Sequence, residues 1–205
     1  VAHCGEAGET SARLHEACQG FVLRRANALS LKGWPALVAS TSAGADGVSP
    51  GLRQAIADEM AFLERAWPSD LPAGVIHADM FPDNTLFVGE RLTGVIDFYF
   101  ACNDMLAYDV AVNLNCWCFE ADGSFNLTKG RAFLSRYQAV RPLSADERAA
   151  LPVLARGAAL RFLLTRLHDW INHDPGALVR PKDPLQCLAW LRFHQQLAGA
   201  ADYGF

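Results

Sequence analysis

Lysine is scarce in this sequence: Lys32, Lys129 and Lys182 are the only lysines among its 18 basic residues, and the net charge is −4. Nucleic-acid-binding surfaces normally carry clustered Lys and Arg, so no nucleic-acid partner is expected. The sequence also has no run of about 18 apolar residues, which a membrane-spanning helix needs. Residues 1–6 lack the basic and apolar regions of a secretory signal. We therefore expect a cytoplasmic protein with no membrane partner.

The cysteines show no metal-binding or redox spacing. There are six, and two of them stand in one apolar run: Cys4, Cys18, Cys102, Cys116, Cys118 and Cys187. Buried free thiols in a reducing compartment are favoured over disulfides. The chain of 205 residues is 51% hydrophobic and 20% charged, which is typical of one globular domain with a substantial core.

Apolar periodicity predicts a mostly helical α+β fold with a small β-hairpin. The predicted helices are 6–19, 51–67, 104–119, 127–139, 144–172 (with a possible break at Pro152) and 184–198. The predicted strands are 74–77, 85–88 and 92–97, and residues 20–49 are predicted to form a long loop. We expect one domain, 1–205, made of a helix-loop-helix segment (6–73), the polar loops that carry the candidate catalytic and metal-binding residues (74–103) and a helical subdomain (104–205).

One polar motif stands out, His77-Ala-Asp79-Met-Phe-Pro-Asp-Asn84, and Asp97 follows it at the end of the third strand. A carboxylate such as Asp79 can orient a hydroxyl and accept its proton. Asn84 and Asp97 offer the oxygen ligands that magnesium prefers. The alternative is that the acidic and amide side chains around Pro82 merely form a turn.

Four further residues are candidates for support or substrate binding. His77 and Asp109 are expected to hold the loop through hydrogen bonds rather than to react, although Asp109 could instead be a surface charge. Arg161 and Arg166, on the helix 144–172, could bind a substrate carboxylate through two hydrogen bonds. The equally open alternative for this helix face is a solvated surface with ion pairs such as Arg166–Asp169.

The motif His77-x-Asp79-x-x-x-x-Asn84 with Ile96-Asp97-Phe98 resembles the aminoglycoside phosphotransferase and choline kinase group, which is similar in fold to protein kinases. The flanking stretches 75–87, 92–102 and 157–167 resemble the bacterial homoserine kinases within that group. The resemblance implies that Asp79 is the catalytic base, that Asn84 and Asp97 bind Mg2+ and the nucleotide, and that ATP phosphorylates homoserine. Open alternatives are another kinase of the group, acting on an aminoglycoside, choline or methylthioribose, and a non-catalytic binding module with the same fold.

The sequence departs from this group before and inside the motif. Such kinases have an N-terminal lobe of strands, with a loop over the ATP phosphates and a lysine on a strand. Residues 1–76 instead have helix and loop patterns, without a glycine-rich loop or a strand lysine. We expect this chain to be the C-terminal lobe of a longer protein, inactive alone, with an exposed apolar face and a tendency to homo-oligomerise. Locally, Ala78 stands where relatives often have Gly, and Tyr99 stands where protein kinases have Gly.

Overall fold

A computed structural model describes residues 1–205. It contains seven α-helices and four short strands. The helices are α1 (Ala2–Ala17), α2 (Trp34–Val48), α3 (Leu52–Ala66), α4 (Leu106–Trp117), α5 (Leu127–Val140), α6 (Ala145–Ile171) and α7 (Pro184–Gln195). The strands are β1 (Ala73–Ile76), β2 (Thr85–Val88), β3 (Arg91–Val95) and β4 (Cys102–Met105). The prediction of a mostly helical fold with a small hairpin is confirmed.

The strands form two separate antiparallel pairs. Strands β2 and β3 make the predicted hairpin, in which Thr85 lies opposite Val95. Gly89 has a φ of 61° in the connecting turn, a conformation that glycine adopts without a steric penalty. The hairpin brings the residue before β2 close to the residues after β3, because the backbone N–H of Ile96 donates to the carbonyl of Asn84 at 3.0 Å.

The other pair joins β1 to β4, and β4 was not predicted. Residues 104 and 105 were assigned to the start of the following helix, which begins only at Leu106. The polar residues of β4 are extended because they hold the segment that follows α1: Asn103 accepts a hydrogen bond from the Arg25 backbone at 2.8 Å, and Asp104 accepts one from the Asn27 side chain at 2.7 Å. These contacts span more than 70 residues, so local periodicity carries no sign of them.

The prediction of a long loop over 20–49 is wrong, because its second half is α2. The small polar residues that suggested a loop let α2 approach α6 closely. A Cβ on Gly44 would lie 2.7 Å from Cδ1 of Ile171, and Thr41 is buried with its hydroxyl bonded to the Leu37 carbonyl at 2.8 Å. Pro35 stands in the first turn, where its missing N–H costs nothing.

The long helix α6 forms the centre of the helical part. It packs against α2, α4 and α7, and it continues through Pro152 without the break considered from the sequence. Its first turn is fixed by a capping box between Ser144 and Glu147, which satisfies two backbone donors at the helix start. Helix α6 therefore presents its residues at regular intervals along one wall of the site.

The thiols and the exposed apolar residues follow the expectations. All six cysteines are free, and four of them are buried: Cys4, Cys102, Cys118 and Cys187. Phe21, Val22 and Leu23, in the segment after α1, expose 50%, 83% and 69% of their surface. Phe21 and Leu23, together with Val75 and Ala101, line a cavity on this surface. None of the helices is both long and apolar enough to cross a membrane.

Candidate active site

The catalytic loop, residues 77–84, connects β1 to β2 and has an unusual backbone at its second residue. Ala78 has a φ of 64°, a left-handed conformation that residues other than glycine rarely adopt. This explains why a glycine would suit the position. Two contacts hold the strained residue: its N–H donates to Oδ1 of Asp109 at 2.7 Å, and its carbonyl accepts a hydrogen bond from Arg161.

Asp79 and Asn84 lie together, as the sequence predicts. The Asn84 side-chain amide donates to the backbone carbonyl of Asp79 at 2.8 Å and to its carboxylate at 3.3 Å. The carbonyl oxygen of the Asn84 side chain therefore points away from these contacts, and it accepts no hydrogen bond within the protein. The middle of the loop is held by Trp117 of α4, whose indole N–H donates to the Met80 carbonyl at 2.8 Å.

Asp97 lies beside this pair on the other arm of the hairpin. Its backbone is left-handed, with φ 61° and ψ 60°, and its carboxylate accepts only a long 3.4 Å hydrogen bond from the N–H of Tyr99. The side chains of Asp79, Asn84 and Asp97 line one side of a single cavity of about 320 Å³. The side-chain oxygens of all three residues thus face the same cavity, and those of Asn84 and Asp97 accept few hydrogen bonds within the protein.

Burial raises the pKa of Asp79 above its ordinary value, and the positive charge of Arg161 opposes that rise. A carboxylate with a raised pKa is a stronger base. Asp79 is thus suited to orient a hydroxyl group and to accept its proton.

Asp109 supports the loop from α4, as predicted. It is fully buried, and it accepts hydrogen bonds from the backbone N–H groups of His77 at 3.2 Å and Ala78 at 2.7 Å. Although burial alone would raise it, the pKa of Asp109 is lowered by a hydrogen bond from His15 and by the one from Ala78. The alternative of a surface charge is wrong for this residue.

His77 also has a structural position. Its ring is fully buried; Nδ1 accepts from the N–H of Asp79 at 3.2 Å, and Nε2 lies 3.1 Å from the carbonyl of Ile96. Since Nδ1 is an acceptor, Nε2 carries the proton and donates to Ile96. His77 thereby ties the start of the catalytic loop to the residue before Asp97. Both of its nitrogens are occupied, which agrees with support rather than proton transfer.

Arg161 and Arg166, both from α6, line the same cavity. Arg161 is 2% exposed and is bound to the Ala78 carbonyl, while its Nε has no partner. Arg166 is 8% exposed and donates to Gln186 at 2.8 Å and to the Asp183 carbonyl at 3.3 Å. The alternative ion pair with Asp169 is not among the salt bridges of the chain, so this face is not the solvated surface considered from the sequence.

Several residues of the site had no distinct signal in the sequence. His15 on α1 donates to Asp109 and is itself in contact with Tyr137 of α5 at 2.8 Å. A single histidine on an amphipathic helix gives no indication of a partner 94 residues away. Lys182 pairs with Asp83 at 2.7 Å at the rim of the cavity. A loop lysine and a turn aspartate likewise show no spacing that would predict their contact.

The fold and the site together define a class. A helical lobe with an aspartate, an asparagine and a second aspartate around one hairpin suits phosphoryl transfer by positioning and charge neutralisation. The family model described as the phosphotransferase enzyme family matches residues 1–143. The chain therefore belongs to the phosphotransferase enzyme family.

Curated relatives cover the chain almost completely. A homoserine kinase of Xanthobacter autotrophicus is 65% identical over 202 residues, which are 98% of this chain and 63% of that protein. A homoserine kinase of Afipia carboxidovorans is 62% identical over 204 residues, and one of Rhodopseudomonas palustris is 60% identical over 205; each match covers 100% of this chain and 63% of the relative. The chain thus spans somewhat less than two thirds of the length of these relatives.

Solved structures with low sequence identity have the same fold. A choline kinase from Cryptosporidium parvum aligns with a TM-score of 0.66 at 14% identity, over 96% of this chain and 64% of that one. A choline/ethanolamine kinase family protein from Mesorhizobium loti aligns with a TM-score of 0.62 at 17% identity, over 98% and 64%. The expected fold class, that of the aminoglycoside phosphotransferase and choline kinase group, is confirmed.

Proposed function

We propose that this chain is the C-terminal lobe of an ATP-dependent homoserine kinase, which transfers a phosphoryl group to the side-chain hydroxyl of L-homoserine. The observation that carries the proposal is the common cavity of Asp79, Asn84 and Asp97, in a chain that shares 59–65% of its residues with relatives named homoserine kinase. The reaction belongs to the biosynthesis of threonine. We propose that the whole of 1–205 forms this lobe and that it acts in the cytoplasm.

The donor set fits magnesium. The free side-chain oxygen of Asn84 and the weakly bonded carboxylate of Asp97 are hard oxygen ligands, which Mg2+ takes together with phosphate oxygens and water. These two residues would hold the metal and, through it, the phosphates of ATP. When bound, the ion would neutralise the charge on the phosphate oxygens.

Asp79 would act on the acceptor. Its carboxylate is half-buried at the base of the cavity, and the Asn84 amide and the backbone around Ala78 fix its direction. A hydroxyl of the acceptor would donate its hydrogen bond to this carboxylate, which holds the oxygen in line for attack. Orientation of this kind contributes more to phosphoryl transfer than the removal of the proton itself.

The two buried arginines of the cavity favour an acceptor that carries a carboxylate. Arg161 and Arg166 line the cavity and are largely buried, and Lys182 stands at its rim. An amino acid offers a carboxylate to the arginines, whereas an aminoglycoside has no anionic group for them and its ammonium groups could meet only the aspartates of the same cavity, Asp79, Asp83, Asp97 and Asp169. This observation supports homoserine over an aminoglycoside as the acceptor.

The proposal is tested with the protein at the full length of its relatives. ADP release is measured with ATP, Mg2+ and, in turn, L-homoserine, choline, methylthioribose and an aminoglycoside. We expect turnover with homoserine at least tenfold above the other acceptors, and none when EDTA removes the metal. Turnover with another acceptor and none with homoserine would contradict the proposed substrate. Absence of turnover with every acceptor, in a folded full-length protein, would favour a non-catalytic binding module.

A further inference from the structure

The acceptor side of the cavity is formed by one face of α6. Arg161, Thr165, Arg166 and Asp169 line it, in the same cavity as Asp79. Helix geometry sets the order of these side chains along the cavity, because each residue advances about 1.5 Å along the axis. Arg161 marks the level of the catalytic loop, since it is bound to the Ala78 carbonyl.

Arg166 is a buried cation without an anionic partner. Two other largely buried arginines of the chain form ion pairs, Arg141 with Glu147 and Arg156 with Glu59, each at 2.7 Å. Arg166 has only neutral acceptors, the side chain of Gln186 and one backbone carbonyl. A charge removed from water without an opposite charge is costly. An anionic group of a ligand in the cavity would offset that cost.

Asp169 provides the opposite charge at the same end of the cavity. It stands one helical turn beyond Arg166, the spacing at which two side chains can pair, yet the two do not form a salt bridge. The one basic side chain within 4 Å of the Asp169 carboxylate is His168, whose Nδ1 lies at 3.5 Å, and 70% of the Asp169 side chain is exposed. A cation and an anion thus stand side by side, neither neutralised by the other, which suits the carboxylate and the ammonium of an amino acid.

The length of α6 between Arg161 and Arg166 is similar to the length of the proposed acceptor. Arg166 is five residues beyond Arg161, which is about 7.5 Å along the axis. The Arg166 side chain lines the same cavity as Asp79, and its guanidinium is held by Gln186 and by the Asp183 carbonyl. The hydroxyl and carboxylate oxygens of homoserine are separated by five bonds, which place them about 6 Å apart when the zigzag chain is extended.

We propose that Arg166 binds the α-carboxylate of the acceptor and that Asp169 binds its α-ammonium, so that the side-chain hydroxyl extends to Asp79. This inference rests on the proposed function and identifies the residues that select an amino acid. Arg161, which is bound to the catalytic loop, is assigned to positioning that loop.

The test compares variants with acceptors that lack one charge each. Steady-state kinetics of the full-length protein are measured with L-homoserine, with L-homoserine amide, which lacks the carboxylate, and with 4-hydroxybutanoate, which lacks the ammonium. We expect Arg166→Gln to raise the KM for homoserine about 30–100-fold, because a hydrogen bond between charged groups is lost. The same variant should change the KM for the amide less than about threefold. The KM for ATP should stay constant.

Asp169→Asn is expected to show the reciprocal pattern. Its exposed carboxylate contributes less, so we expect the KM for homoserine to rise about 3–10-fold and the KM for 4-hydroxybutanoate to stay unchanged. Arg148→Gln is the matched control: Arg148 is on α6 as well, but it is exposed, outside the cavity. This control should leave all three constants unchanged.

Four results would overturn the inference. If Arg166→Gln lowers activity by the same factor with homoserine and with its amide, Arg166 has a structural role. If the variant raises only the KM for ATP, Arg166 binds phosphate. If the unmodified protein phosphorylates homoserine and its amide with the same KM, the proposed function stands and this inference is wrong. If it phosphorylates no homoserine at all, the proposed acceptor is wrong and the inference fails with it.

Discussion

Nε2 of His15 lies 3.0 Å from Oδ2 of Asp109, and both side chains are almost completely buried. Asp109 in turn accepts the backbone N–H groups of His77 and Ala78. Helix α1, at the start of the chain, therefore determines the direction of the carboxylate that holds the catalytic loop.

The contact extends further into the helical part. Nδ1 of His15 lies 2.8 Å from the hydroxyl of Tyr137, which accepts a hydrogen bond from Arg141 at 3.1 Å. Arg141 also pairs with Glu147 in the capping box of α6. A buried polar network of this kind is favourable only while each member keeps its partners.

We expect His15→Ala to destabilise the protein and to slow the reaction. The variant leaves the buried carboxylate of Asp109 with two donors instead of three, which should cost about 2–4 kcal/mol in the free energy of unfolding. Since the loop amides are bound to Asp109, kcat should fall about tenfold or more, with the KM for ATP unchanged. Urea unfolding and steady-state kinetics of the full-length protein measure both effects.

Tyr137→Phe is the graded comparison for that variant. It keeps the contact between His15 and Asp109 and removes only the hydrogen bonds of the Tyr137 hydroxyl to His15 and Arg141, so its cost should be about 1–3 kcal/mol and kcat should stay within about threefold. If the two variants had equal effects on kcat, the contact between His15 and Asp109 would have no particular role in positioning the loop.

Asp79→Asn addresses the chemistry itself. The asparagine side chain cannot accept the proton of the acceptor hydroxyl. Its NH2 group, unlike the carboxylate oxygen that it replaces, cannot accept the hydrogen bond from Asn84. We expect kcat to fall about 10²-fold or more, while the free energy of unfolding changes by less than about 1 kcal/mol. Steady-state kinetics and thermal unfolding of the full-length variant provide the test.

Asp83→Asn is the matched control, because Asp83 belongs to the same loop but pairs with Lys182 at the rim. Its kcat should remain within about threefold of the unmodified protein. A similar fall in both variants would mean that loss of negative charge in the loop, rather than the position of Asp79, is responsible.

The site was predictable where its residues are close in the chain, and not where they come from distant helices. Asp79, Asn84 and Asp97 lie close in the chain on the two sides of one hairpin, so their spacing was enough to predict that they lie together. His15 reaches Asp109 across 94 residues, and β4 is defined by its pairing with β1. Contacts of this kind depend on how the helices pack, which the local sequence pattern does not record.

Helix α2 shows that local composition is a similarly limited guide to secondary structure. Its small polar residues have low helix propensity and suggested a loop. Packing against α6 outweighs that propensity, because Gly44 allows the two helices to approach closely. Propensity is a weak guide wherever tertiary contacts decide the structure.

Close approach around α6 leads to a prediction for two glycines. A Cβ on Gly157 would lie 2.9 Å from the ring of Trp34 and closer still to that of Trp67. Trp34 is fully buried and cannot move freely, so Gly157→Ala should destabilise the fold by about 1–3 kcal/mol. Gly47→Ala, in α2, meets no atom within 4 Å and should stabilise by up to about 1 kcal/mol. Urea unfolding distinguishes them, and equal effects would contradict the packing described here.

His194 of α7 should make the stability depend on pH. Its Nε2 lies 2.9 Å from the Asn115 side-chain oxygen, and its Nδ1 lies 2.8 Å from the hydroxyl of Tyr203. The neutral ring satisfies both contacts, by donating to Asn115 and accepting from Tyr203. Burial, helped by the charge of Arg156, lowers the pKa of His194 to about 3 from an ordinary 6.5. The unfolded chain therefore binds a proton at a higher pH than the folded protein does.

The sign of the effect follows from this difference in proton binding. The stability contributed by neutral His194 is fully present above pH 6.5 and is lost as the pH falls toward 3, with a slope of up to about 1.4 kcal/mol per pH unit. Urea unfolding at pH 7, 6, 5 and 4 should show this decline, and His194→Gln should reduce it. Tyr203→Phe should lower stability by about 1 kcal/mol at every pH and keep the slope, because the ring stays buried. An equal slope in His194→Gln would mean that other groups cause the decline.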